Sequence, residues 1–260
     1  MRNFLVMLGK GFMDFIHYSG GVSVLLGQTL FWIPLPPFRR RQVVEQMSKV
    51  GVESLPIVTM ISLFTGMVLA LQSAYQMQKI GAEMYIASLV ALSLVRELGP
   101  VLTALIVAGR IGASITAEIG TMKVTEQIDA LETLATNPIK YLVVPRFLAL
   151  IIMLPLLTIF ADMIGMLGGY VISTFKLNVS HSMYMKNTWS ALKYKDLYTG
   201  LIKSFFFGLI ICVVACYEGM RADGGAEGVG RSTTQSVVTS FILIIASDCF
   251  FTALFYFMAK

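Results

Sequence analysis

The sequence predicts an all-α polytopic membrane protein: five transmembrane helices, an N-terminal interfacial or elbow helix, and a short cytoplasmic helix between the second and third spans. The 260 residues are 56% hydrophobic and 13% charged, with a mean hydropathy of +0.75. Soluble proteins average roughly a quarter charged residues, so a soluble domain could not bury this much apolar surface. The net charge of +5 fits Lys and Arg in loops, and we expect no nucleic-acid partner.

Five stretches are long and apolar enough to cross a bilayer, which takes about 20 mostly apolar residues. They are roughly Leu55–Met77, Ala87–Ser114, Leu142–Thr174, Leu197–Tyr217 and Val237–Met258. We therefore divide the chain into an N-terminal amphipathic or elbow segment, residues 1–50, and a transmembrane domain, residues 51–260.

The N-terminal segment is predicted to lie in the membrane interface. Its apolar residues Phe4, Leu8, Phe12 and Phe15 recur at helical spacing. The following stretch, Gly21–Pro37, is apolar but short and ends in prolines, so we expect an embedded elbow. The alternative is that Phe12–Leu35 crosses the membrane, which would give six spans. We expect no cleaved signal peptide, because no small-residue cleavage site follows the first apolar run.

The distribution of Lys and Arg predicts a cytoplasmic N-terminus and an external C-terminus. With this orientation most of the 20 Lys and Arg residues fall on the cytoplasmic side, including the Arg39–Arg41 triplet before the first span. Lys203 is assigned to the outer side. The segment Asn178–Lys195 is expected to form a small external helix or loop.

An acidic helix is predicted over residues 125–136, between the second and third spans. Thr125 can cap its start, and Asn137-Pro138 should stop it. An apolar stripe is formed by Val124, Ile128, Leu131 and Ala135, and the solvent-side acids are Glu126, Asp129 and Glu132. Acids oppose binding to an anionic leaflet, and so short a helix is marginal in water by itself. Either it docks into a cytoplasmic partner, or it is a structural loop helix packed on its own protein.

Three motifs resemble the MlaE/YrbE family of permeases. They are RELGPVLTALIVAGRIGASITAEIGTMKVTEQIDAL (Arg96–Leu131), NPIKYLVVPRFLA (Asn137–Ala149) and GGAEGVGRSTTQSVV (Gly224–Val238). The resemblance covers about residues 40–258, and the motifs occur in the family's order.

The resemblance implies a permease subunit of an ABC transporter that moves phospholipids between the inner and outer membranes. The cytoplasmic helix would be the coupling helix that contacts the ATPase, through Glu126, Gln127, Asp129, Ala130 and Leu131. The implied partners are a second copy of the chain, ATPase subunits, a small cytoplasmic regulatory subunit and a periplasmic hexamer of MCE proteins. The implied location is the bacterial inner membrane.

The stretch GAEGVGRS, Gly225–Ser232, nearly spells a phosphate loop. Arg231 replaces the lysine, however, and a spanning helix precedes the motif where a phosphate loop needs a strand. We expect the chain to bind no cofactor, with ATP bound by the partner ATPase.

Ionisable residues inside spans are costly and suggest functional sites. Adjacent helical residues point about 100° apart, so we expect that Arg96 and Glu97 cannot face one neighbour and that at least one borders a polar cavity. A structural ion pair is the alternative. The family resemblance supports a lipid-binding cavity at Arg96, Glu97 and Leu98. Because such a cavity should otherwise be apolar, Val68, Leu69 and Tyr75 of the first span are further candidates.

Asp162 and Asp248 are also predicted within spans, and either could pair with Arg96 or accept hydrogen bonds from Ser or Thr side chains. A structural role is favoured for Asp162, because Gly165, Gly168 and Gly169 follow it and suggest close helix packing. We find no catalytic or metal-binding motif. Two other functions stay open: an ion-coupled secondary transporter, and a structural membrane scaffold for the ATPase and MCE proteins.

Overall fold

The computed structural model describes residues 2–37, 39–177 and 179–258, and this part of the chain contains helices and no strands. The α-helices are α1 Arg2–Trp32, α2 Arg40–Val50, α3 Leu55–Gln78, α4 Ile86–Ser93, α5 Gly99–Val107, α6 Ala113–Val124, α7 Gln127–Thr133, α8 Val144–Phe175, α9 His181–Ala191, α10 Tyr194–Met220 and α11 Gly225–Met258. Short 3₁₀ turns precede α3 and α4, and π-helical segments precede α5, α6 and α8.

Five helical segments are long and apolar enough to cross a membrane, which confirms the predicted fold class. They are Arg40–Gln78, Glu83–Val124, Ile139–Phe175, Tyr194–Met220 and Gly225–Phe257. Three bounds differ from prediction by ten or more residues. The first segment begins at Arg40 and not at Leu55, because α2 and a 3₁₀ turn lead directly into α3. The second segment continues beyond Ser114, because Ile115 and Ile119 are buried in the core. The last begins before Val237, because the glycine turn is confined to Gly224 and Gly225, whose φ angles are positive.

The N-terminal helix α1 is continuous, in contrast to the predicted interfacial helix followed by a separate elbow. Its last part, from Gly21 to Trp32, contains no proline, so the helical hydrogen bonds need not be interrupted before Pro34. A side chain at Gly21 would overlap the ring of Tyr217 on α10, so this glycine allows the two helices to approach closely. α1 is not among the five segments that meet the length and hydropathy conditions for a span.

Helices α3 and α8 approach closely at glycines. A Cβ atom added to Gly66 would lie 1.8 Å from the carbonyl oxygen of Gly165, and one added to Gly168 would lie 2.2 Å from that of Leu63. Small residues let two backbones meet in this way in membranes. The close packing that we predicted from the glycines after Asp162 is confirmed.

The second span is irregular at two π-helical segments, Leu94–Leu98 and Ala108–Gly112. Each carries an arginine that contacts another part of the chain. Arg110 lies 3.0 Å from a carboxylate oxygen of Glu53 and donates a hydrogen bond to Ser54. π-Helical turns are rare and are frequently found at functional sites. Arg96, in the first segment, is described with the candidate site below.

The predicted external segment contains helix α9. Its Tyr184 is 2% exposed, and burial raises the pKa of this tyrosine to about 12. A side chain at Gly169 would lie only 2.9 Å from the Tyr184 hydroxyl oxygen. This third glycine of α8 therefore makes room for α9 to pack at this end of the bundle.

Candidate functional site

A cluster of charged side chains joins the first π segment to α10 and α11. Lys203 of α10 lies 2.6 Å from Glu97 Oε2 and 2.9 Å from Asp248 Oδ1. Its ammonium also donates to Thr252 Oγ1 at 2.7 Å and to the backbone carbonyl of Arg96 at 3.2 Å. One buried cation thus holds three helical elements together.

A second ion pair lies beside the first, on the same helix. Arg96 Nη2 is 2.6 Å and Nε 2.7 Å from Oδ1 of Asp196. The other carboxylate oxygen of Asp196 accepts a hydrogen bond from the backbone N–H of Lys193, which satisfies a free N–H at the start of α10. Asp196 is therefore fixed by the helix end, and it fixes Arg96 in turn.

These ion pairs border a cavity of about 250 Å³. The lining residues are Arg96, Glu97, Lys195, Asp196, Thr199, Lys203, Thr252, Phe255 and Tyr256. Lys203 is only 1% exposed, whereas the side chain of Arg96 is 53% exposed. Three cations, Arg96, Lys195 and Lys203, face three carboxylates when Asp248 is included. The site can present the exposed guanidinium of Arg96 and the partly exposed carboxylate of Glu97 to a ligand that carries both charges.

Three sequence expectations about these charges are wrong. Arg96 and Glu97 both reach the same neighbour, α10, because Asp196 and Lys203 lie two turns apart and the π segment alters the helical spacing. Arg96 pairs with Asp196 and not with Asp162 or Asp248, the two aspartates suggested as its partners from the sequence. Lys203 lies inside the bundle; a lysine within an apolar stretch was the signal that could have identified it.

Asp248 and Asp162 occupy different environments. Asp248 belongs to the cluster through Lys203, while Asp162 is 4% exposed and lies against α5. A Cβ atom on Gly99 would lie 1.8 Å from Oδ1 of Asp162, and this oxygen accepts no hydrogen bond within the described residues. Gly99 therefore leaves the space that the Asp162 carboxyl fills.

The remaining residues of the predicted lipid cavity lie elsewhere. Val68 and Leu69 line an open apolar groove on α3, and Leu98 packs with Leu69 against the cluster between α3 and α4. Tyr75 is 66% exposed, with the ammonium of Lys79 4.1 Å from the centre of its ring. A single chain therefore does not bring the six predicted residues into one cavity.

The acidic helix α7 is shorter than predicted. The Thr125 hydroxyl donates to the carbonyl of Thr121 and so ends α6 instead of capping α7. Glu126 adopts a left-handed conformation with φ of 60° at the turn. The predicted cap is wrong because the preceding helix extends as far as Val124.

Half of the apolar stripe packs on the chain itself. Ile128 is buried in the main core and Leu131 packs against it, which is the arrangement expected of a loop helix. The other surface of α7 is exposed: Glu126, Gln127, Asp129, Ala130, Glu132 and Leu134. Leu134 is 75% exposed, and Asp129 lies 2.9 Å from the ammonium of Lys123. Ile128 and Leu131 thus fix α7 to the core, and the opposite surface of α7 presents acidic side chains and the exposed Leu134 to solvent.

The GAEGVGRS stretch forms the first turns of α11. A phosphate loop would require a strand before the loop and a helix after it, and the described residues before Gly225 form helix α10 and a short turn. The local structure therefore lacks the backbone cradle that binds phosphates in such loops.

Comparisons with known proteins agree with this architecture. The family model described as Permease MlaE matches residues 43–254. A probable ABC transporter permease protein of Rickettsia felis is 46% identical over 256 residues, 98% of this chain and 99% of the relative. The intermembrane phospholipid transport system permease protein MlaE of Haemophilus influenzae is 37% identical over 257 residues, 98% of each chain.

A more distant relative is the chloroplastic protein TRIGALACTOSYLDIACYLGLYCEROL 1 of Arabidopsis thaliana. It is 36% identical over 235 residues, 90% of this chain and 67% of the relative. The family match covers all five spanning segments in whole or in large part. This multi-pass membrane protein belongs to the MlaE permease family and is a permease of an ABC transporter.

Proposed function

We propose that this permease moves phospholipids between the inner and outer membranes of a bacterial envelope, driven by a partner ATPase. The full-length similarity to the Haemophilus influenzae phospholipid permease carries the proposal. The charged cavity beside α10 and the apolar groove on α3 supply surfaces of the two kinds that a phospholipid needs.

The cavity beside α10 suits a zwitterionic headgroup. The exposed guanidinium of Arg96 is a planar donor that matches a phosphate group. The side chain of Glu97 is 40% exposed, so its carboxylate is accessible to a headgroup ammonium. Phe255 and Tyr256 border the cavity and offer apolar contacts to the first acyl carbons.

The acyl chains are assigned to the apolar surface of α3 and to a second copy of the chain. Val68 and Tyr75 are exposed, and so are Ile242, Ile245 and Phe250 on α11. Exposed apolar side chains on spanning helices can face lipid or another helix bundle. We propose a homodimer in which Val68, Leu69, Leu98 and Tyr75 meet the charged cavity across the interface between copies.

The exposed surface of α7 is the proposed contact with the ATPase. We assign the contact to Glu126, Gln127, Asp129, Ala130 and the accessible part of the half-buried Leu131, with Leu134 as a further apolar contact. Because Ile128 and Leu131 fix α7 to the core, displacement of α7 by the ATPase would be transmitted to α6 and α8. The orientation consistent with the Lys and Arg distribution puts α7 and the N-terminus in the cytoplasm and the C-terminus outside.

The family resemblance supports two further partners. They are a hexamer of MCE proteins on the periplasmic side and a small cytoplasmic regulatory subunit. The proposed location is the bacterial inner membrane, and no nucleic-acid partner is expected. ATP binds to the ATPase subunit, so the permease itself carries no cofactor.

Native mass spectrometry of the purified complex tests the substrate and the site together. We expect bound phospholipid, reduced several-fold by Arg96→Ala, which removes the phosphate donor, and by Leu69→Trp, which fills the groove. The exposed Lys176→Ala serves as a control. Complexes that carry no phospholipid, or that carry equal amounts in all variants, would refute the assignment. Solute flux driven by a proton gradient without any ATPase would instead favour the ion-coupled alternative.

Charge reversal tests the role of α7. We expect Glu126→Lys combined with Glu132→Lys to abolish co-purification of the ATPase, because both exposed carboxylates lie on the proposed contact surface. Asp129 is left unchanged, since its contact with Lys123 is part of the fold. The matched control is Glu83→Lys, an exposed change before α4. Retained ATPase in the double variant, with normal membrane insertion, would contradict the coupling role.

A further inference from the structure

A second cavity lies away from the charged cluster, where the end of α1 and the start of α2 meet the start of α8. Its volume is about 450 Å³, within the range of about 300–1,000 Å³ typical of ligand sites. Trp32, Val44 and Leu148 are among its apolar walls. We name this cavity the α1/α2/α8 pocket.

Three cations also line this pocket: Arg39, Arg40 and Lys140. None of the lining residues carries an acidic group, and none of the three cations lies within ion-pair distance of a carboxylate in the described part of the chain. The pocket therefore combines an apolar interior with a concentration of positive charge.

Local contacts hold two of the cations at the pocket. The guanidinium carbon of Arg39 lies 4.2 Å from the ring centre of Tyr141, and the ammonium of Lys140 lies 5.2 Å from that of Trp32. Lys140 also donates a hydrogen bond to the carbonyl of Pro36 at 2.5 Å. These contacts leave further donors of both groups available to a ligand, because an ammonium has three and a guanidinium has five.

The position of the pocket identifies the membrane leaflet that it faces. Lys140 belongs to the segment that directly follows α7, so the pocket lies at the α7 end of the bundle, opposite the charged cluster at the start of α10. In the orientation proposed above, this end is in the cytoplasmic leaflet, which carries the anionic lipids that attract basic segments.

We propose that the α1/α2/α8 pocket is a binding site for an anionic phospholipid of the cytoplasmic leaflet. Arg39, Arg40 and Lys140 bind the phosphate, and an acyl chain lies along Trp32 and Leu148. A general attraction of basic residues to the leaflet would need no pocket. Arg41 makes the distinction testable, because it is exposed on the same helix and does not line the pocket.

The two tryptophans of the chain allow a direct assay. Trp32 lines the pocket, whereas Trp189 is 71% exposed on α9, so Trp189→Phe leaves Trp32 as the sole tryptophan reporter. The isolated permease is placed in nanodiscs of phosphatidylcholine that contain a low, equal fraction of brominated phosphatidylglycerol or brominated phosphatidylcholine. Bromine quenches the fluorescence only of a tryptophan that it contacts.

We expect brominated phosphatidylglycerol to quench Trp32 more strongly than brominated phosphatidylcholine. Arg40→Gln and Lys140→Gln should each weaken this preference about fivefold, the factor for losing one cation near an anionic lipid. Arg41→Gln should leave it unchanged. Nanodiscs with unbrominated lipid correct for any direct effect of Lys140→Gln on the Trp32 emission.

Three outcomes would overturn the proposal. Equal quenching by the two lipids would show ordinary boundary lipid, and an equal loss in Arg40→Gln and Arg41→Gln would show a general surface charge effect. No quenching by either lipid would show that protein covers the pocket. The assay needs neither ATPase nor transport, so its result is independent of whether the proposed function holds.

Discussion

The replacement of Lys203 by methionine is the most informative test of the charged cluster. It removes the ammonium from between Glu97 and Asp248 and leaves a side chain of similar length. Loss of one partner of a buried ion pair costs about 3–5 kcal/mol, because an uncompensated charge is left behind. The side chains of Glu97 and Asp248 are 40% and 22% exposed, so water stabilises the remaining carboxylates in part.

From this partial exposure we expect Lys203→Met to lower the free energy of unfolding by about 2–3 kcal/mol. A reversible titration with SDS, followed by helical circular dichroism, measures this change. The matched control is Lys195→Met. Lys195 is an exposed lysine of the same helix that lines the same cavity, and we expect its replacement to change the free energy of unfolding by no more than about 0.5 kcal/mol.

A double-mutant cycle separates the ion pair from simple packing. Glu97→Gln removes one of the two opposing carboxylates, so Lys203→Met should cost about 1–2 kcal/mol less in that background. If Lys203→Met were no more destabilising than Lys195→Met, or if the cycle gave no coupling, the reasoning from burial and pairing would be refuted.

Two further predictions concern glycines at helix contacts, both measured by the same SDS titration. Gly66→Ala should destabilise the protein by about 1–3 kcal/mol, because the new Cβ would meet the backbone of α8 at 1.8 Å and force the helices apart. The control is Gly27→Ala, where a Cβ would have no neighbouring atom within 4 Å and should stabilise the helix by up to about 1 kcal/mol. A loss of similar size at both positions would contradict the packing argument. Gly99→Ala should destabilise through its clash with the carboxyl of Asp162, and Asp162→Ala should restore stability in the double variant. Failure of that rescue would show that the clash is not the cause.

The five spans could be predicted because each needs only a local apolar stretch of sufficient length. The ends of three of them could not, because α2, α6 and α11 extend them as helices through sequence of mixed polarity. In α6 the continuation follows from burial of Ile115 and Ile119, which is a tertiary effect. Because α6 extends to Val124, the Thr125 hydroxyl donates a hydrogen bond to α6 and does not cap α7, which therefore begins only at Gln127.

The charged cluster could be predicted only in part. Arg96 and Glu97 stand out as charges within a span, but their partners lie more than 100 residues away at Lys203 and Thr252, or 100 away at Asp196. The rule that assigns orientation from the Lys and Arg of loops also misplaces Lys203. It treats every lysine as a loop residue at the membrane surface, whereas Lys203 is buried inside the bundle. Three-dimensional neighbours decide which charge is buried, and a single sequence does not supply them.

The two π segments of the second span give this helix an unusual response to insertions and deletions. Each π turn accommodates about one extra residue within an otherwise regular helix, so deleting one residue there would restore an α-helical turn and leave the two flanking stretches near their present orientation. The same deletion in a regular α-helical turn would rotate one side by about 100° relative to the other. Arg96 and Arg110 lie inside these turns, so a deletion there would alter their local contacts with α10 and with Glu53 while the rest of the span kept its packing. The two π turns of this permease are therefore the places where its second span can change in length by one residue without losing the packing of the rest of the helix.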